Sequence, residues 1–187
     1  AAIARVKAEG KLTPKVVIAV DLFGQPADYP AVKAICEREG LKLISDNAQG
    51  FGCTLNGKAT TDWADIATTS FFPAKPLGCY GDGGAVLTDD ADLAAKMRSL
   101  RVHGQGTNKY DNVVVGLNAR LDTLQAAILL CKLDIFADEI EKRQVVAARY
   151  AAGLEGLATP PAVIDGAVSA WAQYTIKVAN RDAVAAA

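Results

Sequence analysis

Val16-Val17-Ile18-Ala19-Val20-Asp21-Leu22-Phe23-Gly24-Gln25-Pro26 is a short apolar, β-branched run closed by an acid and then by Gly/Pro punctuation. It reads as a strand running into a loop. Residues 27–39 then carry apolar side chains at helical spacing and stop at Gly40, after which Leu41-Lys42-Leu43-Ile44 reads as a second buried strand. Strand, loop, helix, strand is the unit of a parallel sheet, joined by a right-handed crossover. In such a sheet ligands gather beyond the carboxyl ends of the strands, where Asp21 and the turn Ser45-Asp46-Asn47-Ala48-Gln49 both fall. The fold class is therefore α/β.

Further along, residues 50–62 are rich in glycine, threonine and asparagine and predict a loop or short hairpin, and residues 66–71 predict another strand. Residues 85–88 form a strand in this reading, and Asp89-Asp90 can cap a helix over residues 91–101. Residues 102–116 lack periodicity and read as a long loop. Residues 121–131 and 136–154 read as two helices, the second presenting Asp138, Glu139, Glu141, Lys142 and Arg143 as a solvated face. Thr159-Pro160-Pro161 marks a boundary, with residues 170–178 as a strand opening a second domain. The helix-like start without an initiator methionine and the Ala-rich end at residues 183–187 both read as cuts, so the chain is expected to be a fragment.

Composition narrows the function. With 187 residues, 51% hydrophobic and 22% charged, the chain can bury a sizeable core, and its net charge of -1 offers no field to nucleic acid or an anionic membrane. Cys36, Cys53, Cys79 and Cys131 are scattered, with no C-x-x-C pair, and His103 is the single histidine, so no metal site is expected. The cysteines read as reduced thiols of a cytoplasmic protein. No apolar run reaches membrane-spanning length.

The stretch Ser70-Phe71-Phe72-Pro73-Ala74-Lys75-Pro76-Leu77-Gly78-Cys79-Tyr80-Gly81-Asp82-Gly83-Gly84-Ala85-Val86 puts one lysine among aromatics, prolines and small residues. Desolvation there would lower the lysine pKa, which suits an amine that forms a Schiff base with an aldehyde near neutral pH. The plainer alternative is a surface lysine in a Gly/Pro loop. The run Gly81-Asp82-Gly83-Gly84-Ala85-Val86 lacks the third glycine of a dinucleotide fingerprint and precedes a strand, and no G-x-x-x-x-G-K-[ST] occurs.

Several of these blocks together resemble the DegT/DnrJ/EryC1/StrS sugar aminotransferases. The similar blocks are residues 16–26, Ser45-Asp46-Asn47-Ala48-Gln49, residues 70–86, His103-Gly104, and Gly116-Leu117-Asn118-Ala119-Arg120-Leu121-Asp122 with Gln125-Ala126-Ala127. The resemblance implies the aspartate aminotransferase fold (fold type I of the pyridoxal-phosphate enzymes), a mostly parallel sheet flanked by helices. It would divide the chain into residues 1–155, part of the large cofactor domain, and residues 156–187, the start of a small C-terminal α+β domain. The cofactor implied is pyridoxal 5'-phosphate. Lys75 matches the lysine that bonds to it, and Asp46 the carboxylate that pairs with the ring nitrogen. Without Lys75, a cap after a strand would explain Asp46 equally well. Gln49 matches a residue against the ring or its 3-hydroxyl, and Ser70 a hydroxyl donor to the phosphate. Asn118 matches an asparagine that reaches the phosphate of a neighbouring subunit, which implies a homodimer with shared sites. His103 and Arg120 match segments near the nucleotide-sugar pocket, although a structural histidine and a surface ion pair are the ordinary readings of each.

The reaction so implied moves an amino group from an amino acid, by family habit glutamate, to a nucleotide-linked keto-sugar for surface polysaccharide or amino-sugar synthesis. The block at residues 70–89 looks most like members that act on the 3-keto group of UDP-linked uronic acids. A dehydratase on the same scaffold carries histidine where this chain has Lys75, and a catalytically silent domain would not need Lys75, Asp46 and Gln49 together. One departure stands out. The glycine- and hydroxyl-rich turn that supplies much of the family's phosphate cradle has no counterpart here.

Overall fold

The computed structural model describes residues 1–186. An opening helix, α1 (Ala2–Glu9), leads to β1 (Val16–Val20), then α2 (Tyr29–Glu39) and β2 (Lys42–Asp46). Asp28 caps α2 by accepting from the Ala31 N–H at 3.1 Å, with Pro30 in the first turn, so the helix begins two residues later than its apolar spacing suggests. Gly40 ends it in the left-handed conformation. β2 in turn runs two residues further than expected, because Ser45 and Asp46 continue the register opposite Ala19 and Val20.

A hairpin follows, β3 (Thr54–Leu55) and β4 (Lys58–Ala59), whose turn residues Asn56 and Gly57 both have positive φ, as a two-residue hairpin turn demands. β5 (Ile66–Ser70) and β6 (Gly84–Leu87) complete the main sheet, in the order β1-β2-β5-β6. β1, β2 and β5 are parallel, whereas β6 is antiparallel to β5. The reason is local. Residues 71–83 hold two prolines and no helix, and a parallel neighbour would need a helical crossover.

Next come α3 (Ala91–Leu100), capped by the Asp90 carboxylate as expected, and α4 (Thr123–Gly153). The two helices anticipated over residues 121–154 are one continuous helix of 31 residues. Lys132-Leu133-Asp134-Ile135 contains no glycine or proline to stop it, and Leu129, Phe136 and Ile140 fall on one stripe that packs on Phe71, Leu77 and Cys79.

The strand expected at residues 170–178 does not form. Its place is taken by the shorter β7 (Ala167–Val168), which pairs with β3, and by a single bridge between Thr159 and Lys177. Beyond β7 the chain turns back onto the loop after β1, where the Ala170 N–H and the Ser169 hydroxyl both donate to the Gly24 carbonyl at 2.9 Å. Any side chain at Gly24 would collide with the backbone nitrogens of Trp171 and Ala172 at 2.8 Å, so close approach replaces strand pairing. The described chain ends in α5 (Arg181–Ala186); Ala187, the last residue of the Ala-rich end, lies outside the described residues.

Alternation along β1 leaves Val17 and Ala19 on the side of a core formed with Tyr29, Cys36, Leu41, Leu43 and Leu55. The other face is open: Val16, Ile18 and Val20 are 45%, 62% and 46% exposed.

Candidate active site

The parallel strands bring three chain turns to one edge of the sheet: the loop after β1, the turn after β2 and the loop after β5. The turn after β2 is anchored through Asn47, which is buried. Its side-chain amide donates to Asp21 Oδ2 and to Thr60 Oγ1, each at 2.5 Å, while its main chain takes a bond from Thr69 Oγ1 and donates to the Thr68 carbonyl. Asp21 is itself fully buried and also accepts the Ala27 N–H at 2.9 Å. Beside it, burial first and the Asp21 carboxylate second push the Cys53 thiol up to about 12. Tyr29 shares a 2.6 Å hydroxyl contact with Ser45; burial raises its phenol far above the ordinary value, against the opposing pull of that contact.

Asp46 and Gln49 project from this anchored turn. Asp46 is half-buried and, among the described residues, its carboxylate accepts only the Ala48 N–H, two residues on, at 3.1 Å, which is a local turn bond and not a helix cap. Gln49 Oε1 accepts the Phe23 N–H at 2.6 Å and so joins the turn after β2 to the loop after β1.

The lysine loop leaves from the neighbouring strand. Ser70, half-buried at its start, accepts a long 3.3 Å bond from the Phe72 N–H. Phe71 donates to the Gly83 carbonyl and accepts from Cys79, which ties both limbs of the loop together. Leu77 and Cys79 are buried against α4. From α4, Lys132 donates to the Gly78 carbonyl at 2.7 Å and Arg143 to the Pro76 carbonyl at 3.2 Å. Lys75 is half-buried, and among the described residues its ammonium makes no hydrogen bond or ion pair. The desolvating aromatic setting expected for it is realised only in part, because Phe71 turns inward to pack on Phe51, while Phe72 and Tyr80 are 49% and 73% exposed.

The remaining expected residues group elsewhere. Asn118 is exposed, bridges Val102 through its backbone and accepts from Arg120 Nε at 3.1 Å. His103 is exposed, has a φ of 60° and donates its N–H to the Leu117 carbonyl. Arg120 lines a broad groove of about 890 Å³ with Asp82, Arg98, Arg101 and the face of β5 at Thr68. Among the described residues, no hydrogen bond links these three to Asp46, Gln49, Ser70 or Lys75.

Two features of the site were not anticipated. Asp21 and Asn47 were expected at the strand ends, but not their buried bond to each other, which anchors the turn. Arg143 was taken with the solvated face of α4, and for Asp138 and Lys142 that reading holds, as they form an exposed 2.6 Å ion pair. Arg143 instead turns inward, half-buried.

A family model described as the DegT/DnrJ/EryC1/StrS aminotransferase family matches residues 1–187. The UDP-2-acetamido-2-deoxy-3-oxo-D-glucuronate aminotransferase of Pseudomonas aeruginosa is 48% identical over 182 residues, which are 95% of this chain and 50% of that protein. Among solved structures, a DegT DnrJ EryC1 StrS aminotransferase from Brucella abortus matches with a TM-score of 0.96 at 50% identity, over 100% of this chain and 50% of that one. The structure of NtdA from Bacillus subtilis with bound cofactor PMP matches with a TM-score of 0.82 at 33% identity, over 95% and 41%. The chain thus spans about half the length of the relatives it matches.

Proposed function

The chain belongs to the DegT/DnrJ/EryC1/StrS aminotransferase family, and from that premise we propose that in the full-length protein it serves an aminotransferase dependent on pyridoxal 5'-phosphate, acting on a nucleotide-linked keto-sugar. The observation that supports this is that β2 ends at Asp46 while the adjacent parallel strand β5 leads, at the same edge of the sheet, into the loop that carries Lys75. The donor set fits the cofactor. Among the described residues, one Asp46 carboxylate oxygen and the Lys75 ammonium have no partner, and Gln49 has its amide nitrogen to offer. When bound, pyridoxal phosphate supplies an aldehyde and a ring that stabilises negative charge at the substrate carbon.

Lys75 Nζ would hold the cofactor covalently and carry the proton to and from the substrate carbon, and the Asp46 carboxylate would keep the ring nitrogen protonated. Gln49 would lie against the ring or bond its 3-hydroxyl, and Ser70 would donate to the phosphate. Asn118, which among the described residues makes no hydrogen bond to this cluster in its own chain, would reach the phosphate of a second subunit in a homodimer with shared sites. His103 and Arg120 would border the nucleotide-sugar pocket, the groove beside β5 offering a guanidinium-rich wall for a diphosphate.

The substrate proposed is a UDP-linked 3-keto uronic acid, as the Pseudomonas aeruginosa relative is named for one, with glutamate as amino donor. Residues 1–155 would form part of the large cofactor domain, and residues 156–187 would begin the small C-terminal domain. The four free thiols suit a cytoplasmic enzyme. No helix among the described residues is long and apolar enough to cross a membrane.

The test uses the full-length protein. Borohydride reduction followed by peptide mapping should place the cofactor on Lys75, and Lys75→Ala should abolish amino transfer to a panel of nucleotide keto-sugars while the protein stays folded. A label on Lys58 or Lys109, each of which lies over an aromatic ring instead, would sink the assignment. Mixed dimers of Lys75→Ala and Asn118→Ala subunits should regain activity, and demonstrable mixed dimers that stay inactive would refute the shared site.

A further inference from the structure

We propose that Arg143 is a positioning residue that sets the distance between the Lys75 loop and the Gln49 turn, by gripping the Pro76 carbonyl beside the lysine and the Ala170 carbonyl beyond β7. The inference rests on the reading of Lys75 as the cofactor-bearing residue. Arg143 Nη2 donates to Pro76 O at 3.2 Å and Nη1 to Ala170 O at 3.1 Å. No carboxylate pairs with this guanidinium among the described residues, although Asp138, Glu139 and Glu141 stand close by on the same helix. A planar fork can offer rigid N–H groups to two separate carbonyls at once; an ammonium is a mobile point donor.

On the loop side the grip is short and stiff. Lys132, about three helical turns before Arg143 and so on the same face of α4, donates to Gly78 O at 2.7 Å. The tripeptide Pro76-Leu77-Gly78 is thereby held at both carbonyl ends, with Leu77 buried between them. Lys75 directly precedes this tripeptide, and a following proline restricts its backbone further. Fixing Pro76 therefore fixes where the Lys75 side chain starts, while leaving the ammonium unengaged.

On the other side the grip passes to the rest of the site. Gln144, the next residue of α4, donates to Ser169 O at 2.8 Å and accepts from Trp171 Nε1 at 2.8 Å, so residues 169–171 are clasped to the helix. The Ala170 N–H then donates to Gly24 O at 2.9 Å, and the Phe23 N–H, one residue earlier, donates to Gln49 Oε1 at 2.6 Å. The path from Pro76 through Arg143, Ala170, Gly24 and Phe23 to Gln49 crosses the edge of the sheet without passing through the sheet itself. Arg143 is its one charged link.

The experiment compares full-length wild type with Arg143→Met, Arg143→Lys and, as control, Arg149→Met, an exposed arginine of the same helix. Peptide mapping of borohydride-reduced wild type is done first; a label away from Lys75 refutes the Lys75 reading, and with it the premise. With the label on Lys75, Arg143→Met should lose at least tenfold in kcat with KM for the sugar changed less than twofold, Arg143→Lys should recover less than half of the loss, and Arg149→Met should match wild type. Hydrogen exchange on the cofactor-free protein should show residues 74–80 exchanging at least tenfold faster in Arg143→Met, with β2 as protected as in wild type. Unchanged exchange in residues 74–80, or a wild-type kcat, overturns the proposal even though Lys75 carries the label. If Arg143→Met does not fold, Arg143→Lys decides on the same two measurements: faster exchange with a lower kcat supports the proposal, and wild-type values in both overturn it.

Discussion

The turn after β2 and the loop after β5 sit side by side at the edge of the sheet, yet they are held by opposite means. Beneath Asp46 and Gln49 the restraint is a buried side-chain network, Asp21 to Asn47 to Thr60, whose short bonds lie in a low-dielectric interior where an unpaired group is costly. Among the described residues, the Lys75 loop has no such network. It is fixed through its backbone, by cations of α4 on the carbonyls of Pro76 and Gly78 and by tight packing at Gly78. The difference matches what each proposed role requires. A carboxylate that keeps one charge state and one place is served by rigid support on every side, whereas a lysine that must exchange bonding partners needs a fixed main chain and an unengaged amine.

The largest expected effect attacks the buried network. Asn47→Ala removes both 2.5 Å bonds and leaves Asp21 Oδ2 buried with little but the Cys53 thiol, at 3.7 Å. A loss of about 3 kcal/mol in the urea unfolding of the cofactor-free protein is expected. If the loss is under about 1 kcal/mol, the network is not what holds this turn.

Gly78→Ala should cost about 2 kcal/mol, because the new methyl would lie 2.6 Å from the Pro73 carbonyl oxygen and 2.9 Å from Pro73 Cα, both backbone atoms that yield only if the loop shifts. Cofactor content should fall along with stability. A stable Gly78→Ala protein with full cofactor content would mean that the loop tolerates displacement.

Thiol labelling sharpens the contrast kinetically. Cys131 is exposed, whereas Cys79 is buried under the lysine loop and Cys53 in the network beneath the turn. With a pKa of about 12, Cys53 is roughly one part in 10,000 thiolate at pH 8. Mass spectrometry of native protein treated with a thiol reagent should find label first on Cys131, then on Cys79 as the loop opens locally, and on Cys53 only with unfolding. Label on Cys53 before Cys79 would reverse the ranking of the two regions.

The smallest effect lies at the far end of β5, outside both regions. There Asp65 is desolvated, which raises its pKa, but the Leu43 N–H and the Lys42 ammonium outweigh this and leave the carboxyl below its ordinary value. A depressed folded pKa gives stability above the unfolded value of about 4 that is lost as pH falls through the folded one. Asp65→Asn should therefore lower stability slightly at neutral pH, and the gap to wild type should close as acidification carries the pH below the ordinary carboxylate range. A gap that widens on acidification would contradict the assigned shift.

Much of this architecture could be read from the sequence because it depends on local chemistry. The β-branched run at residues 16–20, the Asp90 cap and the helix-ending Gly40 each act within a few residues of themselves, whereas the apolar spacing misses the Asp28 cap and begins the helix at residue 27. The prolines on either side of Lys75 likewise forbid a regular helix there. Periodicity misled where continuity was the issue: Lys132 to Ile135 looked like a gap between two helices, but the burial of Leu129 and Phe136 on one cluster joins them. The return of residues 169–171 to Gly24 depends on which loop is near in space. Arg143 makes the distinction plainest. In sequence it belongs to an ordinary acid/base run on a helix, and its two acceptors are backbone carbonyls 27 and 67 residues away. A carbonyl has no side-chain identity, so nothing in the residue alphabet marks it as a partner; that choice was made when folding brought Pro76, Ala170 and α4 together.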